Sequence, residues 1–196
     1  MKLPRVVKSK VDRVDYCDQK LKKKGYQMIG SGAYAEVWAM PKGDHVLKIG
    51  RCSPHMFEMD AYLSYLKAIP SNTRNPLFPK VDSIKLYKYS RYQGFYVVKL
   101  ERLQSCIDDE ESDWIHDVPT PESRKLLKSN GLRSVYDLEH PEKVLRKKKT
   151  VNRHVHQVCR MLQRLYRDHS EDIHVGNIMI RDVGGAKQLV LTDPNC

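Results

Sequence analysis

Apolar positions along the first hundred residues change period several times, and each change marks a predicted element. Val11, Val14, Cys17 and Leu21 recur at helical spacing and Gly25 is a natural stop, which predicts a helix over 11–24. From Tyr26 the period shortens. Residues 26–29, 35–40 and 45–49 read as strands, with Pro41-Lys42-Gly43-Asp44 as a hairpin turn between the last two. Ser53-Pro54 has the form of an N-cap followed by proline at the first helical position. The helix it predicts carries Met59, Tyr62, Leu63, Leu66 and Ile69 on one stripe and stops near Pro70. Residues 81–89 and 94–100 read as a further antiparallel pair, so a mostly antiparallel sheet with one internal helix is expected here.

The second half has a different texture. Asp108-Asp109-Glu110-Glu111-Ser112-Asp113 reads as an acidic loop, and Thr120-Pro121 opens a short helix that Gly131 closes. Val151, Val155, Val158, Leu162 and Leu165 give the clearest amphipathic helix of the chain, ending near His169. Ile178-Met179-Ile180 and Leu189-Val190-Leu191 follow as two apolar runs joined by a small hairpin at Val183-Gly184-Gly185-Ala186. The division expected is 1–102 against 103–196.

Composition narrows the setting. With 196 residues, 40% apolar and 30% charged, the chain has the make-up of an ordinary globular protein and no run long enough for a membrane span. Met1-Lys2-Leu3-Pro4-Arg5 is not the start of a secretory signal, so a cytoplasmic location is expected. Cys17, Cys52, Cys106, Cys159 and Cys196 are scattered without a C-x-x-C pair and read as reduced thiols. The net charge of +11 is concentrated at Lys20 to Lys24, at Arg146 to Lys149, and at Arg153, Arg160, Arg164 and Arg167. Such patches suit nucleic acid, acidic proteins or ATP phosphates, or are simply solvated helix faces. No zinc-finger spacing, RRM signature or GXXG loop accompanies them. His154 and His156 would point about 200° apart on a helix, which argues against a shared metal ion.

Four features carry chemistry, in order. Gly30-Ser31-Gly32-Ala33-Tyr34-Ala35-Glu36-Val37 lies at a strand–turn–strand junction, where glycines let a backbone approach phosphates closely. Lys48 ends the apolar run Val46-Leu47-Lys48 and can reach α/β-phosphates. Asp172 and Asn177 have the spacing D-x-x-x-x-N after the strong helix, which suits a base for an attacking hydroxyl and an oxygen ligand for magnesium. Asp193 leaves an apolar strand at Leu189-Val190-Leu191-Thr192-Asp193, and one Asp, one Asn and ATP oxygens suffice for Mg2+.

In that order the residues resemble the eukaryotic-like protein kinase superfamily in its compact bacterial and viral versions. Asp172-Ile173-His174-Val175-Gly176-Asn177 resembles the D-x-H-x-G-N loop of aminoglycoside-phosphotransferase-like kinases. Together with Thr192-Asp193-Pro194 it is similar to the early protein kinases of short-tailed phages, which phosphorylate host proteins. The resemblance implies an α+β, bilobal fold with a β-rich N-lobe, a shortened and mainly helical C-lobe, and ATP between them. It implies a phosphate loop from Gly30, Ser31 and Gly32 to Val37, a phosphate-anchoring Lys48, a catalytic base at Asp172, and Mg2+ ligands at Asn177 and Asp193. His174 would order the loop. Glu58, preferred to Asp60 because it falls beside Met59 and Tyr62, would brace Lys48. A hinge around Glu101 to Leu103 would hold adenine.

The departures are specific. Ala35 replaces the third glycine of the loop, and Glu171 stands where protein kinases carry the arginine that reads an activation-loop phosphate. The segment ends at Asp193-Pro194-Asn195-Cys196, so an acceptor would have to be held by the acidic loop, the basic helix and the N-terminal segment, or the 196 residues belong to something longer. Two alternatives accompany the protein-kinase expectation. One is a weakly active or inactive kinase fold that inhibits a host protein, such as a nucleic-acid enzyme, or binds nucleic acid itself. The other is a small-molecule phosphotransferase.

Overall fold

The structure, a computed structural model, describes residues 2–70, 73–106, 120–147, 151–169, 173 and 175–193. Asp172, His174 and the acidic run 108–113 lie outside the described residues. Among those described, no helix is long and apolar enough to cross a membrane. The architecture is mixed α+β and separates into two compact units, Lys2–Leu63 with Lys80–Arg102, and Ser64–Pro79 with Leu103–Cys196. The chain therefore passes between these units at 63/64, 79/80 and 102/103.

The first unit is built on a six-stranded sheet. Its strands are β1 (Val6–Lys8), β2 (Gln27–Ser31), β3 (Ala35–Ala39), β4 (His45–Cys52), β5 (Val81–Lys88) and β6 (Gly94–Glu101), in the order β1-β5-β6-β4-β3-β2. All pairings are antiparallel except β1 with β5. The turns follow from local chemistry. Gly43 takes φ +92° between β3 and β4, and the Ser90 hydroxyl accepts from the Tyr92 and Gln93 amides at the β5–β6 turn. Strand β1 is short and exposed, with no alternation for a pattern to reveal.

One sheet face packs on the N-terminal helical segment. Trp38, Leu47, Ile49, Phe95 and Val97 form a core with Cys17 and Leu21. That segment starts as α1 (Arg13–Asp15), capped by the Asp12 carboxylate, widens into a π-helix over Tyr16–Leu21 and tightens over Lys22–Lys24. Gly25 ends it at φ +78°, in the left-handed conformation that favours glycine. The wider turn changes which side chains face inward, and Val14, expected on the apolar stripe, is exposed. Glu36 of β3 ties the segment down, accepting from Arg13 at 2.8 Å and from the Trp38 indole at 3.1 Å.

The expected helix from Pro54 is not continuous. Ser53-Pro54 opens only a 3-10 turn over Pro54–Met56, and the Ser53 hydroxyl donates to the Tyr92 carbonyl instead of capping. The helix proper, α2 (Ala61–Ala68), begins seven residues later, where the Asp60 carboxylate accepts from the Leu63 amide at 2.9 Å. Asp60 is thus the functional cap, and the stretch before it never enters the helical stripe.

The second unit carries a three-stranded antiparallel sheet, β7 (Gln104–Ser105), β8 (Ile178–Val183) and β9 (Ala186–Leu191), in that order. Its helices are α3 (Pro121–Ser129), α4 (Pro141–Arg146) and α5 (Arg153–Leu165). Thr120 caps α3 and Gly131 follows it at φ +79°, as the sequence predicts. Helix α5 buries Val155, Val158, Cys159, Met161, Leu162 and Leu165, so its apolar stripe is the core-facing one, although the helix stops at Leu165 rather than near His169. The segment 73–79 is fastened by two buried polar side chains. Asn75 donates to the His154 carbonyl and accepts from the Leu77 amide, and Arg181 of β8 donates to the carbonyls of Pro76 at 2.7 Å and Phe78 at 2.8 Å. Arg181→Met leaves both carbonyls without that donor. Stability is expected to fall by on the order of 3 kcal/mol, read from the urea midpoint.

Candidate functional site

Cross-strand register places the sequence-predicted residues of the first unit in one row. Gly30 pairs with Val37, Val37 with Lys48, Lys48 with Val98, and Val98 with Ile84. Directly paired residues of antiparallel strands share a face with Cβ atoms about 5 Å apart. Gly30, Val37 and Lys48 therefore stand side by side on the face opposite the Trp38–Leu47–Ile49 core. A bulge makes this possible. Met28 pairs with Trp38 and Gly30 with Val37, so Ile29 is an extra residue in β2. In unbroken register Ile29 would stand opposite Val37, and Gly30 would fall opposite Glu36 on the other face. Ser31 takes that place beside Glu36.

The glycines of the chain divide into two kinds. A Cβ on Gly50 would lie 1.9 Å from the Tyr96 ring, and one on Gly94 would lie 2.7 Å from the Tyr87 carbonyl, so these two are demanded by packing. A Cβ on Gly30 would make only an ordinary 3.8 Å contact with Val37, and one on Gly32 a 3.9 Å contact with the Ala35 carbonyl. Neither Gly30 nor Gly32 has positive φ. The fold itself does not require glycine there, and the open backbone is available to a ligand.

Lys48 is half-buried, and its Nζ lies 3.8 Å from the centroid of the Tyr62 ring on α2. Tyr62 in turn packs on Tyr96 of β6, with centroids 5.8 Å apart and planes inclined by 31°. Tyr96 is the residue paired with Gly50, and its ring fills the space that a side chain at that position would take. The reason for preferring Glu58 as a brace does not hold. Glu58 and Met59 precede α2 and both are exposed, whereas Asp60 is half-buried at the cap. In the expected hinge, the Glu101 amide donates to the Lys80 carbonyl and the Arg102 amide to the Asp44 carbonyl. The Glu101 carboxylate accepts from the Lys80 amide at 2.7 Å. Leu103 follows at once and leads into β7.

In the second unit the two expected metal ligands emerge at the same end of the β8–β9 hairpin. Gly184 and Gly185 turn the chain with φ +60° and +85°, and the Asp182 carboxylate accepts from the Gly185 amide. That amide, with Lys187, holds the Asp182 carboxyl below its ordinary value. The register runs from Val183–Ala186 to Ile178–Leu191, and one step further the Thr192 amide and hydroxyl both donate to the Asn177 carbonyl, at 2.8 and 2.9 Å. Asn177 is nearly buried and Asp193, half-buried, follows Thr192 at once. Both offer hard oxygen donors, the type that magnesium takes with waters and phosphate oxygens. Among the described residues no three His, Cys, Asp or Glu side chains cluster as metal ligands. Ile173 is buried between Asp172 and His174, which lie outside the described residues.

Sequence patterns had shown Tyr62 only as one apolar position among five, and they had not shown Tyr96 or Gly50. A glycine in the middle of an apolar strand, as at Gly50, is the one signal that could have pointed to a close approach. Burial pushes the thiols of Cys17, Cys52 and Cys159 up to about 12 and that of Cys106 to about 11, so these stay protonated and inert at neutral pH.

No protein-family model matches the chain, and no characterised protein matches it in sequence. Among solved structures it is similar to the BubR1 kinase domain, at 16% identity and TM-score 0.42, covering 99% of this chain and 55% of that one. It is also similar to a protein described as a fructosamine-3-kinase from Haemophilus somnus, at 13% identity and TM-score 0.34, covering 91% of this chain and 70% of that one. The chain thus spans about half the length of the BubR1 structure. Likeness at this distance carries no functional weight, and the site is read from its own residues.

The two kinds of glycine separate in a stability series. Gly30→Ala and Gly32→Ala are expected to stay within about 0.5 kcal/mol of the parent in chemical denaturation, whereas Gly50→Ala is expected to lose more than about 2 kcal/mol.

Proposed function

We propose that the chain is an ATP- and magnesium-dependent phosphotransferase of protein-kinase-like fold, acting on serine or threonine hydroxyls of proteins. The observation that carries this reading is the bulge-set row of Gly30, Val37 and Lys48. It combines a side-chain-free backbone, an apolar contact and a half-buried cation on one sheet face. These are the three things a nucleotide asks for: close backbone approach to phosphates, an apolar surface for the base, and a charge for the α/β-phosphates.

In this reading Asn177 and Asp193 hold Mg2+, which when bound neutralises charge on the phosphates. The Thr192 hydrogen bonds to Asn177 support that pairing. Asp172 takes the proton of the acceptor hydroxyl, and His174 orders its loop. A hinge around Glu101 to Leu103 contacts adenine, and Glu58 or Asp60 assists Lys48. A phage origin, host-protein acceptors and a host-cytoplasm location rest on the D-x-H-x-G-N resemblance alone.

A second reading is favoured by one observation. Arg153, Arg160 and Arg164 are exposed along one line of α5, a helix without a single carboxylate, so the segment would attract an acidic protein or nucleic acid even without catalysis.

Incubation with radiolabelled ATP and bacterial lysate separates the readings. The parent is expected to label protein bands, and Asp172→Asn to reduce labelling at least about 100-fold while binding of a fluorescent ATP analogue is retained. Equal labelling by Asp172→Asn would remove the base assignment. Partner capture without any transfer would favour the binder.

A further inference from the structure

The geometry points to Tyr62 as the positioning residue for Lys48, with Tyr96 and Gly50 as the parts that hold its ring in place. This deepens the nucleotide reading above and rests on it for the consequence, although not for the contact itself.

The ammonium of Lys48 sits 3.8 Å from the centroid of the Tyr62 ring, well inside the range of a cation–π contact. An aromatic face attracts a cation through its quadrupole and carries no net charge. The ring therefore orients the ammonium without itself cancelling the charge that phosphates need. The ring is itself immobilised, being only 5% exposed and packed on Tyr96, which is 2% exposed. Tyr96 reaches that position because residue 50, its cross-strand partner, is glycine, and a Cβ there would overlap the ring. Backbone register, a missing side chain and two packed, mutually tilted rings thus converge on one lysine nitrogen. Tyr62 touches Lys48 rather than the nucleotide, so its effect is expected in binding and alignment.

The test uses the full chain and two variants, Tyr62→Phe, which keeps the ring, and Tyr62→Met, which keeps volume without a ring. The first readout does not involve nucleotide. The Lys48 side-chain carbon next to Nζ is expected to show an upfield ring-current shift by NMR in the parent and in Tyr62→Phe, and to lose it in Tyr62→Met. The second readout is affinity for a non-hydrolysable ATP analogue by calorimetry. Tyr62→Phe is expected within about twofold of the parent and Tyr62→Met about tenfold weaker, with KM for ATP rising more than kcat falls.

A parent protein without the ring-current shift overturns the proposal, whatever the variants do. So does a folded Tyr62→Met that keeps the shift, or that binds the analogue as the parent does. A parent that shows the shift yet binds no nucleotide leaves the Lys48–Tyr62 contact standing and removes the nucleotide reading instead.

Discussion

The one-residue bulge at Ile29 decides which side chain of β2 stands beside Val37 and Lys48. Strand register is binary in its consequences, because a slip by one residue exchanges the two faces. With the bulge, a glycine joins the row and a branched apolar side chain steps out of the ladder. Without it, an isoleucine would cover the approach to the lysine, and the glycine would be spent on the face that meets the N-terminal helical segment. That other face is already committed, since Glu36 holds Arg13 and Trp38 there. The sheet thus has a packing face and a face that carries the candidate row, and the bulge near its edge assigns Gly30 to the second.

The same logic recurs in the other unit, on a smaller scale. The Gly184-Gly185 turn fixes the β8–β9 register, and the register brings Thr192 to Asn177. The backbones at Asn177 and Asp193, sixteen positions apart in sequence, thus leave the same end of the hairpin. In both units the candidate groups sit where a ladder ends or slips, and a fixed register is enough to place them.

Much of the fold was legible beforehand, for physical reasons that also explain the gaps. Strands β2 to β6, β8 and β9 and helices α3 and α5 announced themselves through period and turn chemistry, because regular apolar spacing or a bounding turn marks each of them. Strand β1 did not, being too short to show alternation. The start of α2 was misplaced because Ser53-Pro54 carries a stronger local cap signal than Asp60, yet the Ser53 hydroxyl is drawn to the Tyr92 carbonyl, thirty-nine residues away in sequence. Of the site, residue types and order were legible. The bulge and the packing of Tyr62, Tyr96 and Gly50 were not, because each depends on which strands are neighbours.

The central proposal is that the Gly30–Val37–Lys48 row takes nucleotide phosphates and that Asn177 and Asp193 take magnesium. Calorimetric titration with a non-hydrolysable ATP analogue, with and without Mg2+, tests it most directly in the parent, Lys48→Met and Asp193→Asn. The account predicts that Mg2+ tightens binding by the parent about tenfold, that Asp193→Asn abolishes this gain, and that Lys48→Met weakens binding in either condition. Affinities unchanged by both substitutions, or a full Mg2+ gain in Asp193→Asn, would contradict it.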